Sequence, residues 1–596
     1  MLKKFIGAGL YLIGLFIALT IFVPIPGIGI SPSNAAREVA DIVLYNGKIL
    51  TVDKKFTIAQ AVAIKKDRII AVGTNKQVLA LAKKGKTEQV DLKGKTVVPG
   101  LIESHAHLQE AAESDYLEKL PTPDSVDSLL KYVAEKVKTL KEGEWIVFEK
   151  TFPTRFKERR FPTLQELDAV APKNPIVIDG LYAGQANSYA MKIAGVDKNT
   201  PQPKVGVIVK DPATGELTGL FLRCQALILK HYAGMRKLTH EERMDAIRKL
   251  VASYNQLGFT SVIEGLSWEN GIAAYNELYS RGELGVRMTY TFMPDIVKKS
   301  KEEIVNQVKA MQLLVKTPDS WGKIGFVKAW IDGGILTGTA RMREPYGAKG
   351  PLHKKVYGHN DSNFKGVVVF DQATYAKAAE AAYELNLPMT AHCVGDGGLD
   401  VLLGAYKQVD AAHPIKGRRW SVIHGDFTPE DSLQWMADHG VVLIAQVAWL
   451  YKDGALLSEV LTEKTIKTFY PFRTIERTGI VVSGGSDLMI KWDPINAVNP
   501  YHPWIAMHAL VTRQVENGGV LMPEERISRE SALRQYTING AYVSFSEGFK
   551  GSIEVGKAAD LAVLNKDYLT CPVDEIKEIR ALRTIVGGKT VHMTRE

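Results

Sequence analysis

The sequence predicts an α/β chain whose centre is a (β/α)8 barrel, with a small β-sandwich domain built from both chain ends and an N-terminal hydrophobic segment in front. Three observations carry this. Eight strand-like apolar runs alternate with helical patterns, at 97–107, 259–266, 287–294, 325–334, 387–395, 420–428, 441–449 and 479–487. Residues with metal or proton chemistry stand at or near the ends of five of them: His105 and His107, Lys328, His392, His424 and Asp487. Hairpin patterns occur near both termini. Strands alternating with helices argue for a parallel sheet, and eight such units argue for a closed barrel whose chemistry sits at the C-terminal ends of different strands.

Residues 1–35 are a different material from the rest. After Lys3 and Lys4 the chain runs from Phe5 to Val23 without a charge. As a helix that run would span roughly 28 Å, close to the thickness of a bilayer core and longer than the usual apolar region of a signal peptide. Ser33 and Ala35 are small residues of the kind a signal peptidase accepts, and Pro24 and Pro26 would break the helix before them. Signal peptide and membrane anchor therefore both stand. Either places the chain beyond residue 36 across the cytoplasmic membrane, in the periplasm or outside the cell, because the leading lysines stay inside.

Residues 36–97 open the globular part with "DIVLYNGKILTVD" and "AVAIKKDRIIAVG", in which polar turns separate alternating apolar residues. Residues 548–596 repeat the pattern in "GSIEVGKAADLAVLN" and "LRTIVGGKTVHM". The two sets are expected to form one small domain flanking the barrel at 98–547. Between the first barrel strand and the helix that starts near Thr239 lies an insertion, 109–238, too long for an ordinary βα-loop. "WIVFEK", "NPIVIDG" and "KVGVIVKD" read as its strands, and "SVDSLLKYVAEKVKTL" as a helix with Ser125 and Asp127 near its start. Following strand one, it should project over the barrel mouth, either as a lid and recognition element or as a packing or oligomer surface.

Composition narrows the function classes. The chain has 596 residues, 45% hydrophobic and 24% charged, and a net charge of +9. The lysines are scattered among acids with no basic arm, so nucleic acid is not implied. Cys224, Cys393 and Cys571 are odd in number and far apart, against a disulfide framework or a cysteine zinc site. A small-molecule substrate is the expected partner, with the membrane as a second if the N-terminal segment is uncleaved. A homo-oligomer stays open.

In a strand the side chains of His105 and His107 leave on one face, about 7 Å apart along the backbone, and can converge on one ion. Neutral imidazoles suit zinc or a similar cation, while a hydrogen-bonded polar pair is the plainer reading. His392 and His424 each follow a short apolar run at corresponding places. Lys328 lies among Ile324, Phe326 and Trp330, where an unpaired ammonium would be costly. It either faces outward, pairs with Asp332, or does something else. Asp487 follows Gly484 and Gly485 and is a candidate proton acceptor or a helix N-cap, a place Ser486 could also fill. Trp449, Tyr451, Trp492, Tyr501 and Trp504 follow strands seven and eight and are candidates for an apolar pocket wall.

The order H-x-H, lysine, histidine, histidine, aspartate over strands one, four, five, six and eight resembles the amidohydrolase superfamily of metal-dependent hydrolases. "FPTLQELDAVAPKNPIVI", "QANSYAMKIAGV", "VKAWIDGG", "AHCVGDGG" and "YTINGAYVSFSEGFKGSIEVGKAADLAVLN" are similar to its YtcJ-like branch, and the resemblance runs from about residue 41 to the end. It implies a divalent metal, zinc by its donors, as one or two ions on His105, His107, Lys328, His392, His424 and Asp487. It also implies carboxylation of Lys328 where two ions are bridged, with Asp487 shuttling the proton. The implied reaction is hydrolysis of a non-peptide carbon–nitrogen bond. Ester, lactone or carbamate hydrolysis and deamination use the same site, and a noncatalytic envelope-anchored binding protein is the reading from another class. Two residues depart from the branch's pattern: Glu103 where aspartate is usual, and Tyr182, five residues before Asn187, where histidine is expected.

Overall fold

Eight parallel strands follow one another around a single sheet in chain order. They are β1 (Leu101–Ala106), β2 (Phe259–Glu264), β3 (Arg287–Phe292), β4 (Gly322–Trp330), β5 (Met389–Cys393), β6 (Ser421–His424), β7 (Val442–Gln446) and β8 (Val482–Gly485). Seven lie within the runs read from the sequence, and β4 overlaps its run at 325–334 but begins three residues earlier, at Gly322. The computed structural model describes residues 38–594 apart from 118–120, 122, 235, 491–492 and 517. The expected export signal or anchor at 1–35 and the candidate pocket residue Trp492 therefore lie outside the described residues. Among the described residues no helix is long and apolar enough to cross a membrane.

The strands are buried on both faces, which is why β7 reads as an apolar run, VLIA, before Gln446. Their helices begin where the side chains can satisfy free N–H groups. Thr239 and Ser300 form capping boxes with Glu242 and Glu303, and Asp371 caps the helix before β5. The helix His240–Gln256 buries Met244, Ile247, Leu250, Val251 and Tyr254, the one-sided spacing of a helix laid on a barrel.

β8 and β1 meet at a seam outside the regular ladder. Asp487 N–H donates to the His105 carbonyl (2.7 Å) and His107 N–H to the Leu488 carbonyl (2.8 Å). Glu103 Oε1 accepts from both His105 N (3.0 Å) and Ser486 N (2.9 Å). A buried carboxylate thus takes the place of a strand carbonyl where the barrel closes.

Below the barrel, a four-stranded sheet (Ile42–Tyr45, Ala61–Lys65, Arg68–Gly73, Glu88–Asp91) shares a core with a six-stranded one. The six-stranded sheet joins Lys48–Leu50, Ile58–Ala59 and Thr96–Pro99 to Leu561–Leu564, Ala581–Val586 and Lys589–Met593. Leu44 and Ile64 meet Ile49, Val97, Leu561 and Ile585 in that core, so both chain ends contribute. Only Gly100 separates Thr96–Pro99 from β1, and a Cβ there would stand 2.1 Å from Thr260 Oγ1. Glycine is required by that approach.

The insertion has its own five-stranded sheet, ordered Val207–Lys210, Leu217–Leu222, Ala183–Ala186, Ile176–Asp179, Ile146–Phe148. The helix Val126–Lys136, capped by Ser125, packs Leu129 and Val133 into its core with Phe148, Ile178 and Leu222. Arg155 pairs with Asp453 (2.9 Å) and Lys150 Nζ donates to the Met489 carbonyl (3.1 Å), placing the insertion over the strand ends.

Arg287 on β3 fastens the barrel to the terminal sheets. Its guanidinium donates to both oxygens of Asp560 (2.7 and 3.1 Å) and to the Ser320 carbonyl (2.9 Å), while Gly587 N–H donates to Asp560 Oδ1 (2.8 Å). The two side chains are only 2% and 3% exposed, so loss of one leaves the other charged in a dry place. Asp560→Ala is expected to lower the unfolding free energy by about 3–5 kcal/mol in urea titrations. A loss below about 1 kcal/mol, the scale of surface pairs, would show that water replaces the lost carboxylate.

Candidate functional site

The ends of β1 and β8 supply the first three groups. Asp487 Oδ1 lies 3.3 Å from His105 Nε2 and 3.4 Å from His107 Nε2, and one donor atom from each of the three residues falls within 4.8 Å of the others. Asp487 adopts a left-handed backbone, φ +55°, and His424 does too, φ +74°. Non-glycine residues in that region cost energy and persist where surrounding structure holds them. Asn499 Nδ2 holds Asp487 by donating to its carbonyl (2.7 Å) and to Oδ2 (3.3 Å). Asp487 is not a helix N-cap: among the described residues the next helix starts at Pro503, after His502.

β4, β5 and β6 bring the remaining candidates to the same place. The His392 and His424 rings are 4.5 Å apart, and His424 is 5.5 Å from His105. His424 Nδ1 donates to Gln446 Oε1 (2.7 Å), which leaves Nε2 as its lone-pair nitrogen, and Trp449 stacks on its face at 5.0 Å. Lys328 is buried and donates to the Gly265 carbonyl (2.8 Å). It does not pair with Asp332, whose oxygens instead accept from Arg341, Val394 and Gly395 N–H groups (2.9–3.0 Å) and shape the turns after β4 and β5. All six residues expected from the sequence are therefore gathered at one end of the barrel.

Residues from the insertion complete the wall. Tyr182 places its hydroxyl 3.4 Å from His392 Nδ1, and its ring is 5.8 Å from Trp330. Arg223 lies over both rings, 5.3 Å from Tyr182 and 5.2 Å from Trp330. Glu110 Oε2 is 3.7 Å from His107 Nδ1, and Lys150 Nζ bonds its other oxygen at 2.5 Å. Beside Glu110, a cleft of about 1070 Å³ opens along Gln109, Trp268, Phe292 and Met293 at the ends of β2 and β3.

Burial dominates the electrostatics. It holds His105, His107 and His392 well below the ordinary histidine range, Lys328 reinforcing it for all three, and brings His424 to about 3. Neutral imidazoles are the form that binds metal. Burial also brings Lys328 down to about 8, against the pull of Asp487 and Glu264, and lifts Glu103 to about 7. His105 Nε2 and His107 Nδ1 are buried without a hydrogen bond. Orphaned imidazole nitrogens beside a carboxylate fit a divalent cation of the zinc type.

Several residues were not assigned from sequence. Glu103 was noted only as a departure from the branch's pattern, and it bonds backbone N–H groups across the seam rather than an imidazole. Tyr182 was noted only as a departure, and Arg223, Gln446 and Glu110 carried no motif. Of the aromatic candidates, Trp449 reaches the site. Tyr501 instead stacks on Tyr254 at 4.8 Å, and Trp504 is fully buried beside Tyr568, because both belong to the core outside the strands.

Comparison with known proteins bears on the family and the fold. A family model described as "Amidohydrolase family" matches residues 88–592. N-substituted formamide deformylase of Arthrobacter pascens is 29% identical over 578 residues, covering 92% of this chain and 98% of that protein. The putative amidohydrolase YtcJ of Bacillus subtilis is 26% identical, covering 92% and 98%. A crystal structure of an uncharacterised metal-dependent hydrolase from Pyrococcus horikoshii shares the fold, with a TM-score of 0.65 at 22% identity over 89% of this chain and 99% of that one.

The hydrogen bond from His424 to Gln446 yields a check on the site. Gln446→Leu removes the acceptor that fixes the His424 tautomer, and is expected to weaken divalent-metal affinity by about 10–100-fold in chelator competition. Unchanged affinity would remove His424 from the metal-holding set.

Proposed function

The chain belongs to the amidohydrolase family, and from that premise we propose that it is a metal-dependent hydrolase of non-peptide carbon–nitrogen bonds in small amides, with N-substituted formamides as the first class to try. The observation that supports this best is the convergence of four buried, neutral imidazoles with Asp487 and Lys328 at the strand ends. In this reading His105, His107, His392, His424 and Asp487 hold one or two zinc-like ions, with Lys328 joining them as a carbamate where there are two. A bound divalent ion supplies Lewis acidity, polarising a carbonyl and acidifying water.

The chain's own groups then divide the work. Asp487 Oδ1, within 3.4 Å of two imidazoles, takes the proton of the attacking water and returns it to the leaving nitrogen. Tyr182 stays protonated because burial pushes its pKa well up, so its hydroxyl is a donor for the oxygen that gains charge at the acyl carbon. Trp449 and Trp330 exclude water on either side of His392 and His424. Export across the cytoplasmic membrane, directed by Phe5–Val23, is part of the same proposal.

Asp487→Asn is expected to reduce kcat on N-alkyl formamides by about 10²–10⁴-fold with a much smaller change in KM. Wild-type turnover of the matching formate esters without any turnover of the formamides would replace amide hydrolysis with ester hydrolysis. Full activity in Asp487→Asn would remove the proton-transfer role.

A further inference from the structure

Among the described residues, Arg223 is a cation without an ion-pair partner beside the proposed catalytic centre. Its guanidinium makes no hydrogen bond or ion pair among the described residues, and its contacts are the faces of Tyr182 and Trp330. Those two rings lie 5.3 and 5.2 Å from the His392 ring. Asp332 is the acid whose charge it feels, and that carboxylate is committed to three backbone N–H groups. Trp330 Nε1 is a buried donor beside the Tyr182 hydroxyl. A guanidinium and an indole N–H thus stand together on one wall of the site.

The fold holds Arg223 there against its backbone preference. Arg223 has φ +58° and Leu181 φ +66°, where paired strands Ala183–Ala186 and Leu217–Leu222 end side by side. Arg223 N–H donates to the Tyr182 carbonyl (2.8 Å), and Gln225 Nε2 donates to the Leu181 carbonyl (2.6 Å). Left-handed arginine and leucine are strained, and such strain collects at binding sites. A charge serving only packing would be satisfied as well by a neutral side chain.

We propose that Arg223 binds a carboxylate on the substrate, so that the preferred substrates are anionic amides of the N-acyl amino acid class. The planar fork of a guanidinium matches a carboxylate in two parallel hydrogen bonds, and stacking on Tyr182 and Trp330 fixes its plane. The amide carbon then faces Asp487 and the histidines, with the carboxylate directed toward the insertion. This rests on the reading of the site as an amide hydrolase.

The test compares N-formyl-phenylalanine with N-formyl-phenylalaninol, which keeps the amide and loses the charge, using the full chain with its bound metal. Wild type is expected to favour the carboxylate by roughly 10-fold or more in kcat/KM, the scale of one charge-assisted pair. Arg223→Met should bring the ratio to about one, and Arg223→Lys, with the charge but not the fork, should fall between. Hydrolysis of both compounds with a wild-type ratio near one would overturn the assignment and leave amide hydrolysis standing. An equal loss on both compounds in Arg223→Met would also overturn it. Should neither compound turn over, the amide-hydrolase reading fails on them, and calorimetric binding of N-formyl-phenylalanine decides the role of Arg223. Binding weakened at least roughly 10-fold in Arg223→Met upholds it, and equal or absent binding overturns it.

Discussion

Closure of the barrel at its β1–β8 seam is the constraint on which the site depends. Two backbone bonds and the carboxylate of Glu103 join the strands there, and the residues they join are His105, His107 and the Ser486–Asp487 turn. The separation between Asp487 Oδ1 and the two imidazoles is set by the same bonds that close the fold. An aspartate at 103 would have a shorter reach to both N–H groups, so the extra methylene has a structural use. Tight packing reinforces it: a Cβ on Gly485 would stand 2.7 Å from His105 N.

The insertion contributes the second half of the environment. Its five-stranded sheet has a separate core, so it can deliver turns to the mouth without relying on barrel packing for its shape. Arg155 and Lys150 pin it to residues near the ends of β7 and β8, and Tyr182 and Arg223 hang from its paired strand ends. The barrel supplies electron-pair donors and a proton acceptor, whereas the insertion supplies hydrogen-bond donors and positive charge. On the proposed reading, bond cleavage belongs to the first and selection of substrate to the second.

The sequence made the barrel legible because parallel strands buried on both faces read as near-continuous apolar runs, and a polar residue at the end of such a run stands out. That is why His105, His107, Lys328, His392, His424 and Asp487 stand out together in the sequence. The insertion's strands and the Ser125 cap were legible for similar local reasons. Tyr182 and Arg223 were not, since each occupies an isolated left-handed turn or its neighbour, where no periodicity exists and only strand pairing decides which turns meet. Tyr501 and Trp504 were misplaced for the converse reason: chain order after β8 puts them near the mouth, while burial against Tyr254 and Tyr568 takes them into the core.

Lys328 presents the sharpest electrostatic problem of the proposed metal centre. As an ammonium it has, among the described residues, only the Gly265 carbonyl as a hydrogen-bond partner, and its charge opposes protonation of His105, His107, His392 and His424. The same field would oppose a divalent cation. Charges of one and two about 6 Å apart at an effective dielectric of 20 repel by about 5 kcal/mol, more than three decades in affinity. A neutral amine removes that repulsion, and a carbamate converts it to attraction while adding oxygen donors. Burial already brings the ammonium down to about 8, so its discharge costs little near neutral pH. On the proposed reading, metal loading and the chemical state of Lys328 are therefore coupled: whatever neutralises the lysine would prepare the four imidazoles for a cation, and a bound cation would hold the lysine uncharged or anionic.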